Sequence, residues 1–213
     1  MDQHLNAVWQ MKIERLMKNL EKNQMKGTFL KDREALQEYM NQQIPDGVKV
    51  AVGGSQTLFE VGVIEYLRTR NVTFFDRYEE GLSMEGRKEV FRNSFFADFY
   101  FTSTNAITLD GHLYNIDHVG NRVAAMLFGP DKVFVIIGLN KIVDTEEEAV
   151  GRIRSIAAPA NNVRLNRDTP CTKLGSCTEC NAKDRICSEY TLIKRQSVKD
   201  RIEVLILPTE LGY

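Results

Sequence analysis

"ADFYFTSTNAITLDGHLYNIDHVGNRVAAMLFGPDKVFVIIGLNKIV", residues 97–143, decides the fold. It begins on ADFYFTST (97–104), an apolar run of strand length, and ends near KVFVIIG (132–138), which is apolar after its first residue. Between them GNRVAAMLF (120–128) has the spacing of a helix. An apolar run without polar alternation is a strand buried on both faces. Such strands, joined through helices, form a parallel sheet with helices covering both sides.

The same alternation extends in both directions. Upstream, VKVAVGG (48–54) reads as a strand, SQTLFEVGVIEYLRTR (55–70) as a helix, NVTFFD (71–76) as a strand and SMEGRKEVFRNSF (83–95) as a helix. Downstream, DTEEEAVGRIRSIA (144–157) reads as a helix, with Thr145 and Glu148 spaced as a capping box, and RIEVLILP (201–208) as a last strand. The expected fold is α/β, a mostly parallel sheet flanked by helices over residues 45–213. Residues 1–44 are expected to add two helices packed on that core. Leu5, Val8, Trp9, Ile13, Leu16, Met17 and Leu20 form the apolar stripe of the first, with Gly27 as its stop. The second spans about Asp32 to Gln43, before the turn signal PDG (45–47). That first stripe faces either the core or a homodimer seam.

A net charge of -1 lacks the basic excess of a dedicated nucleic-acid binder. No stretch approaches the roughly 18 apolar residues of a membrane span. The N-terminus is too charged for a signal peptide, so a cytoplasmic protein with reduced thiols is expected.

Three stretches carry candidate chemistry. Gly53, Gly54 and Ser55 stand where a strand enters a helix, and free N–H groups there suit an anion, with Ser55 or Thr57 adding a hydroxyl. The alternative is a tight turn capped by Ser55. The polar block 104–122 follows an apolar strand and opens a helix at Gly120, which places it at a pocket wall. In this block Asp117 is the candidate acid or base and Arg122 the candidate clamp for a carboxylate or phosphate. Asn105, Asp110, Asn115 and Asn121 are candidates to orient the ligand, and His112 and His118 do not make a metal site alone. The alternative is a turn that satisfies its own backbone.

The third stretch is CTKLGSCTECNAKDRIC (171–187), which holds every cysteine of the chain. Its spacing, C-x5-C-x2-C-x6-C, contains one CxxC corner. Cys171, Cys177, Cys180 and Cys187 are expected to hold a [4Fe–4S] cluster in a loop at 166–190, inserted before the last strand. Zinc, or thiols without metal, are the alternatives.

GGSQTL (53–58), NAIT (105–108), DG (110–111), GNR (120–122), GP (129–130), GLNKIV (138–143) and AAPAN (157–161) resemble the LUD domain, named for bacterial lactate-utilisation proteins. The resemblance implies a fold like that of ribose-5-phosphate isomerase, glucosamine-6-phosphate deaminase and CoA transferases. In those groups the glycine turn and strand-end polar residues face one cleft, and Lys141 of GLNKIV joins the candidate substrate-binding set. It also implies an iron–sulfur component of lactate or related organic-acid utilisation, with a small anionic substrate and an iron–sulfur protein as partner. An isomerase or transferase of sugar phosphates or acyl-CoA, with a structural metal, is the second reading. A non-catalytic assembly partner is the third.

Overall fold

The computed structural model describes residues 2–213. In chain order the elements are α1 (Gln3–Lys22), β1 (Lys26–Phe29), α2 (Arg33–Gln43), β2 (Lys49–Val52), α3 (Gln56–Glu60), α4 (Val63–Thr69) and β3 (Thr73–Phe75). Next come α5 (Met84–Asn93), β4 (Phe99–Thr102), β5 (Ala106–Thr108), β6 (Leu113–Asp117), α6 (Asn121–Leu127) and β7 (Lys132–Gly138). The last are β8 (Ile142–Val143), α7 (Glu146–Arg152), α8 (Ala158–Arg164), α9 (Pro170–Leu174), β9 (Glu189–Ile193) and β10 (Ile202–Leu207).

Six strands form one sheet in the order β1-β10-β7-β4-β2-β3, and every neighbouring pair is parallel. The strands read from VKVAVGG, ADFYFTST and KVFVIIG therefore lie side by side. Alternate residues of β7 divide the core in two. Val133, Val135 and Ile137 face α1 and a smaller second sheet, while Phe134 and Ile136 face α2, α3 and α4. Phe134 stacks on Phe101 with ring centroids 5.0 Å apart. This two-sided burial is the physical reason the strand sequences carry no polar alternation.

The second sheet, β8-β5-β6-β9, is mixed. Its β5–β6 hairpin starts beside the carboxyl end of β4, runs away to the turn at Asp110 and Gly111, and returns at Asp117.

Three features differ from the sequence reading. Gly27 does not stop α1: the helix ends at Lys22, Gln24 turns the chain with φ +61°, and Gly27 lies inside β1. Its missing side chain lets α1 come close, because a Cβ there would meet Met17 Cγ at 2.9 Å. The N-terminal segment thus supplies an edge strand as well as helices. The apolar stripe of α1 is buried only from Ile13 onward, and Leu5 and Val8 are exposed. Finally, the cysteine-bearing stretch leads into β9, a strand of the second sheet, before the chain reaches β10. Among the described residues no helix is long and apolar enough to cross a membrane.

Candidate functional site

The chain order along the main sheet reverses around β2: β3 lies on one side, and β4, β7 and β10 follow on the other. A crevice opens at the carboxyl ends of strands at such a reversal. Here it is a cleft of ≈ 590 Å³. The segment after β2 contributes Gly54 and Ser55, that after β4 contributes Ser103, Thr104 and Asn105, and that after β7 contributes Lys141. Arg77 and Tyr78 enter after β3, and Tyr213 after β10. Arg87 and Phe91 of α5 close one side, with Arg164 of α8, Arg167 and Ile186 on another.

Arg122 sits at the base, 7% exposed, and its hydrogen bonds decide its role. Its Nε donates to Asp117 Oδ1 at 2.8 Å, Nη1 donates to Ser103 O and Asn115 Oδ1, and Nη2 donates to Asn105 Oδ1 and Ile116 O. A guanidinium has five N–H donors, and all five are engaged inside the protein. The Asp117 carboxylate is as fully used. Its Oδ2 accepts the Arg122 and Val123 N–H groups, both at 3.1 Å, capping α6 after the left-handed Gly120 (φ +70°). The pair is a brace between β6, α6 and the loop after β4. Both residues border the cleft, and in this arrangement their polar atoms are committed to each other and to their neighbours.

Asn105 and Asn115 belong to the same brace. Gly53 is packed beneath it, since a Cβ there would meet Thr102 Oγ1 at 2.7 Å, Tyr100 Oη at 2.8 Å and Arg122 Cγ at 2.9 Å. Thr57 is fully buried under the C-terminal segment and does not reach the cleft. Asp110 is elsewhere. The hairpin carries it to the turn, where it is exposed and pairs with Arg15 of α1 at 3.4 Å. Gly54, Ser55, Asn121 and Lys141 do line the cleft. The Ser55 hydroxyl makes no cap bond to α3.

Sequence reading missed Arg77, Arg87, Arg164 and Arg167 of the cleft. Arg77 lies against Gly54, where a Cβ would meet its Nη1 at 3.1 Å, and it stacks on Phe91 at 4.6 Å from the ring centroid. With its amide turned to satisfy its neighbours, Asn121 accepts from Arg77 Nη1 at 3.2 Å. Arg77 follows the strand NVTFFD, so the strand-end rule that singled out Asn105 could have found it. Arg87 and Arg164 lie on helices, and nothing in their spacing marks them. Arg167 pairs with Asp184 at 2.8 Å. Among the described residues Arg77, Arg87, Lys141 and Arg164 have no Asp or Glu carboxylate within ion-pair distance, and Glu79 is the one Asp or Glu lining the cleft besides Asp117.

Lys141 is 2% exposed. Its Nζ donates to Ser103 Oγ at 3.0 Å, Thr104 O at 3.2 Å and Tyr213 O at 3.4 Å. Burial first, and then the Arg152 and Arg122 charges, pull its pKa down to about 7. Arg152 itself donates to Asn140 O at 2.6 Å and to Asn105 O, fixing the turn that carries Lys141.

The cysteine loop borders the cleft through Arg167 and Ile186. All four thiols are free, Cys171 and Cys187 buried and Cys177 and Cys180 half-buried. The CxxC turn has one feature of a metal knuckle, a Glu179 N–H donating to Cys177 Sγ at 3.4 Å. Arg185 ties the corner to Cys187 by donating to Cys180 O and Cys187 O, both at 2.6 Å. Cys171 instead lies beside Thr169, Oγ1 to Sγ 3.2 Å. Among the described residues no three His, Cys, Asp or Glu side chains gather to hold a metal ion. As folded, the thiols do not form a four-ligand cage.

The chain is an α/β protein with a cationic crevice at the reversal point of its parallel sheet. The sequence matches the LUD domain family over residues 13–207, and the chain belongs to that family. Its fold is similar to that of a DUF162 family protein from Deinococcus radiodurans, with a TM-score of 0.52 and 16% identity. That likeness covers 92% of this chain and 96% of the other. No curated protein matches the sequence.

Proposed function

We propose that this LUD-domain protein binds a small, multiply charged organic anion, a phosphate ester or polycarboxylate, in the cleft at the strand ends. The observation that carries the reading is the set Arg77, Arg87, Lys141 and Arg164. These cations converge on one cleft without an Asp or Glu partner among the described residues. Lys141 is buried and Arg77 half-buried, where positive charge calls for a counter-charge, and Arg87 and Arg164 add exposed charge at the cleft wall. An organic-acid role, as the family resemblance suggests, fits a ligand of this sign. Lactate, with a single carboxylate, would leave most of these cations unmatched. The charge therefore favours larger acids or sugar phosphates, which brings the isomerase or transferase reading close to the first.

Calorimetric titration with pyrophosphate and with citrate tests this. Both should bind, neutral glycerol should not, and Arg77→Ala should weaken binding about ten- to hundredfold, the worth of a charge-assisted hydrogen bond. Failure of both anions to bind, or an unchanged affinity in the variant, would sink the reading.

An iron–sulfur cluster or zinc on Cys171, Cys177, Cys180 and Cys187 is a separate proposal, supported by the CxxC corner and its N–H···S bond. It requires the 166–190 loop to bring the four thiols together, and no chemical step is assigned to it. Iron, zinc and sulfide analysis after anaerobic purification decides it.

A further inference from the structure

Lys141 has surroundings that an anion-holding role alone does not explain. An ammonium that only holds an anion works best with its charge secure. Here the amine is buried and has no Asp or Glu carboxylate within ion-pair distance among the described residues, its nearest C-terminal contact being the Tyr213 main-chain O at 3.4 Å. It also stands near two other cations, Arg152 and Arg122. Desolvation beside other positive charges is the arrangement that turns a lysine into a nucleophile.

The position is also rigid. Lys141 closes a single 3-10 turn, Leu139–Lys141, at the carboxyl end of β7. Arg152 holds the turn through Asn140 O, and the Asn140 side chain holds the C-terminal segment by accepting from Leu211 N at 3.0 Å. The Ser103 hydroxyl lies 3.0 Å from Nζ and is itself buried, so a proton can pass between them without bulk water.

We infer that Lys141 forms a covalent iminium with an aldehyde or ketone whose anionic group is held by the cleft cations. The inference rests on the reading of the cleft as an anion site. In the step, the neutral amine's lone pair attacks the carbonyl carbon. A C–N bond forms, and the carbonyl π pair moves to oxygen, which takes up a proton. The nitrogen of this carbinolamine loses its extra proton, for which Ser103 Oγ is the nearest relay. A proton then reaches the hydroxyl, which leaves as water, and the nitrogen lone pair closes the C=N bond. Amine, carbonyl and one proton become iminium and water, and nothing is oxidised or reduced. The positive nitrogen then serves as an electron sink for breaking a bond to the adjacent carbon.

The test uses the whole chain with phosphoglycolaldehyde as probe and sodium cyanoborohydride to reduce any iminium to a stable amine. Mass spectrometry of the digest should find Lys141 labelled ahead of the exposed lysines, and Lys141→Met should lose the fast-forming adduct from the intact protein. Ser103→Ala should slow labelling of Lys141 at least about tenfold, as removal of a proton relay does. Label spread over exposed lysines, with Lys141 unmodified although pyrophosphate binds, would overturn the inference and leave the anion site standing. The converse separates the two claims. If unphosphorylated glycolaldehyde labels Lys141 equally well and pyrophosphate does not protect it, the lysine chemistry holds and the anion reading fails.

Discussion

Replacing Arg122 with methionine should destabilise the fold by about 3–5 kcal/mol, the cost of leaving one partner of a buried ion pair alone. The guanidinium joins the loop after β4 to β6 and α6, and its loss strands the Asp117 carboxylate, 8% exposed, with only two backbone donors. Asn105, Asn115, Ser103 and Ile116 each lose a hydrogen bond as well. Adding Asp117→Asn to the variant should restore part of the loss, because the uncompensated charge is gone. Urea unfolding of the wild type, both single variants and the double variant measures the coupling directly. A single-variant loss below about 1 kcal/mol, within the range of ordinary point mutations, would mean that the pair is not a brace.

Lys141→Met should have the opposite sign at low pH. The lysine titrates at about 7 in the fold against 10.5 ordinarily, so the folded state binds fewer protons than the unfolded chain between those values. Stability therefore climbs as pH rises through that window, and below it the penalty of the buried ammonium is present in full. The charged groups that set this are Arg152 and Arg122, which oppose the ammonium, and Glu60, which favours it. At about pH 6 the methionine variant should be more stable by about 1–3 kcal/mol, net of three lost hydrogen bonds. Near pH 10 the advantage should vanish, because the wild-type amine is then neutral in the fold and still bonded. Equal stability differences at the two pH values would show that Lys141 titrates normally.

The core of the fold was legible because its strands are buried on both faces. Apart from Lys132 and Lys49 near their starts, KVFVIIG and VKVAVGG have no polar positions to confuse with a helix's outer stripe, and both are interior strands of the sheet. Lys26–Phe29 was not legible: an edge strand of four residues carries no apolar run, and its glycine looked like a helix stop. Glu189–Ile193 was hidden for a similar reason, with a mostly exposed pattern in a short antiparallel edge.

The cleft was half legible. Residues directly after strands, such as Ser55 and Asn105, were found because strand ends meet at one side of a parallel sheet, whereas Lys141 was named only through the family resemblance. Asp110 was misplaced because a hairpin returns to where it started, so its turn is the part farthest from the cleft. Arg122 was found, yet its role depends on how many donors the fold already uses, which composition cannot show. Arg87 and Arg164 reach the cleft only through the packing of α5 and α8.

The central claim is that the unpaired cations, and not Arg122, receive the ligand. Crystals soaked in tungstate, a phosphate-shaped anion with a strong anomalous signal, test it most directly. The account predicts an anomalous peak within hydrogen-bond distance of Arg77 beside Gly54 and Ser55, with the Arg122–Asp117 pair intact. A peak on Arg122 with that pair broken, or no peak in the cleft at all, would contradict it.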